Sequence, residues 1–252
     1  MKINIGVNYN KMQQMNYKVI LFLSFSILSF IPSAHAQKVH DIDLTLINSV
    51  ISVPNSPFEY ARLKNRMYHR DTTLTDYDFQ LLYFGAIFQS DYSPYITTPQ
   101  EEQFNDLYGS GNYSEALPLA DSVLKANPVN LQLTLRAAVC ANSLNRPELT
   151  ATYMRMYQGI FQTIVSTGDG WSEEHAFVVT SVNDEYEIMK MWEIGFTKQS
   201  LLASETDMFT LDKATRKDLK KHGIKTNGIY FDVSIPFQSL MKEFKESSDS
   251  KD

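Results

Sequence analysis

The densest group of side chains able to do chemistry is Gly168-Asp169-Gly170-Trp171-Ser172-Glu173-Glu174-His175. Asp169, either glutamate and His175 offer oxygen and imidazole ligands for a metal ion, or an acid and a base for proton transfer. With Asp232 as a further acid, the group would make a hydrolytic site. The same residues also read as plain structure. The two glycines make a turn, Ser172 caps a helical turn, and the acids favour the positive end of its dipole. The spacing fits no metal motif of the His-Glu-x-x-His kind, so the structural reading is the stronger and neither a metal nor a cofactor is expected. His35, His40, His69 and His222 are scattered, without neighbours at ligand spacing. No Gly-x-Ser-x-Gly elbow, phosphate loop or dinucleotide fingerprint occurs.

Aromatic side chains offer a second kind of site. Tyr60, Tyr68, Tyr77, Tyr83, Tyr92 and Tyr95 crowd the N-terminal half. At helical spacing such residues are core, but Tyr92 and Tyr95 flank Ser93-Pro94 in a turn. With Trp171 they could stack on a sugar or dock a peptide. Tyr92, Tyr95, Asp169, Trp171 and His175 are therefore the candidate binding surface. Cys140, the sole cysteine, lies among Ala137, Ala138 and Ala141 and reads as a small buried residue; no internal disulfide is possible.

These side chains need elements to hold them. The clearest is Tyr108–Asn130, which reads as the second helix of a helical hairpin. Gly111-Asn112 signals a turn. Tyr113, Ala116, Leu117, Ala120, Val123 and Leu124 then recur at three- and four-residue steps, and Pro128 stops the helix. The partner helix is Glu101–Tyr108. Gly-Asn-Tyr-x-x-Ala followed by Asn-Pro-x-Asn resembles the back half of a tetratricopeptide repeat. The next helix begins at Leu131, and Leu149–Val165 follows a turn with Pro147 in place of Gly-x-Tyr. One good repeat and a degenerate half make a helical element within a larger domain, not an extended array.

Ahead of the hairpin, Asp41–Ser52 is a short helix or strand, and Phe58–Met67 has helical spacing. Thr75 opens a helix Asp76–Phe88 that is apolar almost all round, the mark of a central helix. Beyond Thr167 the pattern changes. Ala176–Val182 reads as a buried strand, and Asn183-Asp-Glu-Tyr186 as the cap of a short helix ending at Trp192. Phe196–Leu202, Asp207–Asp212 and Gly228–Ile235 read as strands. Lys213–Asn227 reads as a basic loop. The fold class is α+β: a helical region over 37–166, a small α+β region over 167–240 with a mixed or antiparallel sheet and one helix, and a charged flexible tail over 241–252.

The N-terminus reads as an address. Lys18 and its neighbours precede an apolar run, Val19–Ile31, and Ala34-His-Ala36 is a cleavage signal before Gln37. Residues 1–36 are expected to be a signal peptide, with Met15 the start, cleavage after Ala36 and a periplasmic or secreted destination. The run is too short to span a bilayer, so no transmembrane span remains after cleavage. Of the 23 Lys and Arg, Lys2, Lys11 and Lys18 leave with it, so 20 basic groups face 29 acidic ones and the mature net charge is −9. That balance argues against a nucleic-acid partner.

At larger scale the chain resembles a family of secreted Bacteroidota proteins, domain of unknown function 4919. The resemblance rests on Asp71-Thr-Thr-Leu-Thr-x-x-Asp78 with Leu82-Tyr83-Phe84-Gly85, Tyr92-Ser-Pro-Tyr95, Gly168-Asp-Gly170 and Ala176-Phe-Val-Val179. Asp184-Glu-Tyr186, Gln199-Ser-Leu201 and Tyr230-Phe-Asp-Val233 extend it. It implies a signal peptide and tetratricopeptide-like helices, and it transfers no catalytic residue. The expected role is a non-enzymatic interaction or scaffold module whose helical-hairpin groove takes a protein or peptide of the cell envelope. The alternative is a periplasmic hydrolase or glycan-binding module with its site near Asp169–His175.

Overall fold

Two capping boxes show why the helices begin where they do. Thr75 accepts from the Asp78 amide at 3.2 Å while the Asp78 carboxylate accepts from the Thr75 amide at 2.9 Å. Thr98 and Glu101 repeat the exchange at 3.2 and 2.7 Å. Each box satisfies two backbone donors that the first turn leaves without intrahelical partners. The computed structural model describes residues 42–249. The expected signal peptide lies outside the described residues, none of whose helices is long and apolar enough to cross a membrane.

Seven helices come first: α1 (Leu44–Ile51), α2 (Tyr60–Tyr68), α3 (Asp76–Gly85, continued as a tighter turn Ala86–Phe88), α4 (Pro99–Gly109), α5 (Tyr113–Ala126), α6 (Leu131–Ser143) and α7 (Pro147–Val165). The expected hairpin is α4–α5, and its apolar stripe, Ala116, Leu117, Ala120, Val123 and Leu124, is buried. α3 buries Phe79 and every residue from Leu81 to Gly85, which makes it a central helix. α6 is buried nearly all round because it packs against α5, α7 and a helix of the second half. Cys140 is among its fully buried residues, and burial pushes its thiol up to about 12.

The second half is a four-stranded sheet with three helices: β1 (Phe177–Val178), α8 (Val182–Met191), β2 (Phe196–Leu201), β3 (Thr206–Leu211), α9 (Lys213–Lys221), β4 (Gly228–Asp232) and α10 (Ser234–Asp249). The strand order is β1-β4-β3-β2. β1 runs parallel to β4, and the other pairs are antiparallel, so the sheet is mixed. Phe177, Phe209 and Phe231 form its apolar face, with neighbouring ring centres 5.8 Å apart. Helices first, then a small mixed sheet: the fold is α+β, as expected.

Several element readings change. The strand expected over Ala176–Val182 pairs only at Phe177–Val178. The chain leaves the sheet because the Thr180 amide donates to the Tyr83 hydroxyl at 2.9 Å and Ser181 caps α8. That cap replaces the one expected at Asn183–Tyr186, and Asp184 and Glu185 are buried instead. The strand expected through Ile235 stops at Asp232, whose carboxylate accepts from the Ser234 amide at 2.9 Å and turns the chain into α10. Residues 241–249, expected as tail, continue that helix. The basic loop Lys213–Asn227 contains α9, begun by Asp212, which accepts from the Thr215 amide at 2.7 Å. The single helix expected beside the sheet is thus three.

Candidate functional site

The turn Gly168–His175 closes on itself. The Asp169 and Gly170 amides both donate to the His175 carbonyl, at 3.1 and 2.8 Å. Gly170 sits at φ +72, and a Cβ there would lie 2.2 Å from the Phe177 ring, so only glycine lets the turn lie on β1. Asp169 accepts from the Trp171 amide at 2.9 Å. The His175 ring pairs with the Ser172 hydroxyl at 2.9 Å. Trp171 is half-buried and stacks on Trp192, with ring centres 6.5 Å apart. Asp169, Trp171 and His175 therefore share a turn, but their side chains serve separate partners. The Asp232 carboxylate serves α10, and no pair among Asp169, His175 and Asp232 shares a hydrogen bond or an ion pair.

Tyr92 and Tyr95 lie on another turn. The Tyr92 hydroxyl donates to the Thr180 carbonyl at 2.6 Å, so this ring is a half-buried strut joining that turn to the start of α8. Tyr95 is 40% exposed. A cleft of about 160 Å³ opens between α3 and α7, lined by Leu74, Phe79, Arg155, Gln158 and Gln162 among others. None of the five expected surface residues lines it. Among the described residues no three His, Cys, Asp or Glu are grouped to hold a metal ion.

The strongest electrostatics lie elsewhere, between α8 and β3. Asp184, Glu185, Glu187 and Asp207 are all buried, and Glu185 is 0% exposed. Burial raises Glu185 from its ordinary value of 4.5 to about 9, with further upward pushes from Asp207 and Asp184. Ionised, its two oxygens would have no hydrogen-bond donor. Neutral, it carries its own O–H and leaves no buried charge, and among its neighbours Asp207 pushes hardest toward that form. Asp207 itself accepts from Gln199, whose amide donates to Oδ2 at 2.8 Å. Gln199 in turn accepts from the Tyr186 hydroxyl at 2.6 Å.

On the other side, the Tyr83 hydroxyl of α3 donates to Asp184 at 2.7 Å while accepting from the Thr180 amide. Burial raises Asp184 to about 7 against the lowering effect of that bond, and the charge of Glu187 adds to the rise. Glu187 faces Lys190 at 4.0 Å. These groups line up from an exposed tyrosine on α8, through β2 and β3, to the central helix α3. A carboxyl kept neutral can donate a proton, which is an acid's job in catalysis. Here the carboxyl lies sealed inside the sheet–helix interface, where no substrate reaches a fully buried group.

Sequence reasoning passed over this set, although a signal was present. Glu185, Ile188, Met189 and Trp192 fall at steps of three, four and seven, so Glu185 stands on the apolar stripe of α8. A glutamate on that stripe is either buried or misplaced.

The fold and its polar interior define a class: a helical layer, led by a hairpin, joined to a small mixed sheet across a helix rich in buried acids. Residues 45–242 match the model described as Domain of unknown function (DUF4919), and the chain belongs to that family. Neither the curated proteins nor the solved structures compared with the chain give a match.

Proposed function

We propose that the protein is an exported, non-enzymatic interaction module that takes an extended peptide segment of a cell-envelope protein along the free edge of β2. The observation that carries this reading is the edge itself. β2 ends the sheet, and five of its six residues are exposed. Its outer N–H and C=O groups have no strand beside them among the described residues, and such an edge is a template for strand addition. The pleat puts Leu201 on the face of the buried Asp207 and Phe209, and Lys198 on the other. Leu201 is 52% exposed, Phe196 at the start of the strand is exposed too, and Tyr186 of α8 stands exposed beside it. The fitting segment has apolar residues on the first face and an acid opposite Lys198. A hydrolase would need shifted carboxylates at an accessible surface, whereas Glu185 is sealed.

The helical-hairpin groove is a second reading. One side of α6 is taken up by α8, which narrows it. What favours it is Arg136 of α6, which donates to Asn105 of α4 and lies 5.4 Å from the Tyr108 ring centre, leaving a polar seam between the two helices.

A photo-crosslinking residue at Thr197 on β2, compared with one at Gln103 on α4, separates the two in the producing cell. The β2 probe should yield a defined adduct that disappears when Phe196→Asp is added to the same chain with unchanged circular dichroism. An adduct from Gln103 alone would transfer the function to the groove, and none from either would reject both.

A further inference from the structure

We infer that α9 is a docking face for an anionic phospholipid surface. Six of the chain's 23 Lys and Arg lie in the thirteen residues 213–225, against one of its 29 Asp and Glu. The segment therefore carries +5, and the remaining sequence, with 17 basic and 28 acidic groups, carries −11. Charge this segregated places a local positive field on an acidic body.

The helix aims that charge outward. Lys213, Arg216, Lys217, Lys220 and Lys221 recur at steps of three and four, so at 3.6 residues per turn they occupy an arc of about 140°. All five are exposed. The opposite side holds the half-buried Thr215 and Leu219. It is fastened to the body at its N-terminal end. The Gly195 amide donates to the Thr215 hydroxyl at 2.9 Å, and the Asp212 amide donates to the Gly195 carbonyl at 2.9 Å. At the C-terminus the Ile224 amide closes on the Leu219 carbonyl at 3.0 Å, with Gly223 at φ +83. Lys221 alone of the five is held by an acid, Asp218, at 2.9 Å.

The form of the array decides the partner. Four of the five cations are lysines, compact charges without the planar fork that grips a single phosphate or carboxylate. They diverge from a convex helix instead of converging on a pocket. No Phe, Tyr or Trp lies within 213–225, so stacking against nucleobases has no platform. A long soluble polyanion would also run onto the acidic remainder of the molecule. A sheet of headgroups touches only the face presented to it, and each lysine near such a surface adds to binding independently.

The test is co-sedimentation of residues 37–252 with vesicles of three parts phosphatidylcholine to one part phosphatidylglycerol, and with phosphatidylcholine alone. Binding is expected only to the first, weakening as salt shortens the screening length. The triple variant Lys213→Glu, Lys217→Glu, Lys220→Glu should lose at least about 100-fold in affinity. Three controls accompany it: Lys→Arg at the same positions keeps binding, Arg62→Glu, Lys125→Glu, Arg146→Glu makes the same charge change elsewhere, and a thermal melt certifies folding. Equal binding to neutral vesicles, an undiminished triple variant, no binding to either vesicle, or binding to heparin or single-stranded DNA in preference to vesicles each overturns the assignment.

Discussion

Glu185 is the residue on which the chain's response to pH should turn. A carboxyl whose folded value lies above its unfolded one holds its proton more tightly in the folded chain. Above the unfolded value, each rise in pH therefore favours unfolding, until pH passes the folded value. For Glu185 that window runs from about 4.5 to about 9, and for Asp184 from about 3.8 to about 7. Asp71, Asp212 and Asp218 act in the opposite sense, held down by hydrogen bonds from Thr73, Thr215 and Lys221 respectively, so their contribution is lost only as pH falls below 3.8. The melting temperature should therefore peak on the acid side of neutrality and fall from there to pH 9. Glu185→Gln keeps the shape of the neutral carboxyl but cannot ionise. Melts across that range should show a flatter slope and a higher melting temperature at pH 8 than the parent chain; an unchanged slope would mean that Glu185 is not the group responsible. The position of Glu185 on an apolar stripe was legible in the sequence. Its partner was not, because Asp207 is 22 residues away and reaches it only when β3 forms beside α8.

At the scale of elements, reading by local rules succeeded where local rules govern. The hairpin turn, the Thr75 cap and the alternation of β3 all rest on residues a few positions apart. Two of the misreadings share a cause, a short-range competitor unseen in periodicity, whereas the strand over Ala176–Val182 is cut short in part by the distant Tyr83 hydroxyl. Ile229, Phe231, Val233 and Ile235 alternate like one strand, yet the Asp232 carboxylate ends it within three residues of Ile235 by taking the Ser234 amide. Lys213–Lys221 has too few apolar residues to announce a helix, but Asp212 and Gly223 bracket it with a cap and a stop. The turn before β1 offers a test. Gly170→Ala would force a side chain to φ +72 and against Phe177, at a cost of about 1–3 kcal/mol. A urea titration should show a lower midpoint at unchanged slope. A midpoint equal to the parent's would mean the turn relaxes freely and does not anchor β1.

At the scale of the whole molecule, the helical layer and the sheet fall in one unit, 38–252, joined where α6 meets α8 and where Tyr83 binds Asp184 and Thr180. A protein of this kind offers its surroundings an edge strand and a basic helix, while its most perturbed acids stay inside. The proposed address is testable directly. Chain recovered from the producing cells should begin at Gln37 when its N-terminus is sequenced, and it should partition with the envelope or medium; a chain retaining residues 15–36 in the cytosolic fraction would refute export.

The sequence alone determined the fold class, the family, the order of most elements and the burial of Cys140, since each depends on neighbours within a turn or two or on a pattern spread along the chain. It also held the count of charges, though not their arrangement. Only the tertiary structure decided which acids are sealed, that Tyr92 is a strut, that β2 is left at an edge, and that five cations share one outward face of a helix. Those outcomes depend on residues 20 to about 100 positions apart meeting across packed elements, where burial changes the cost of a charge and no local spacing records it.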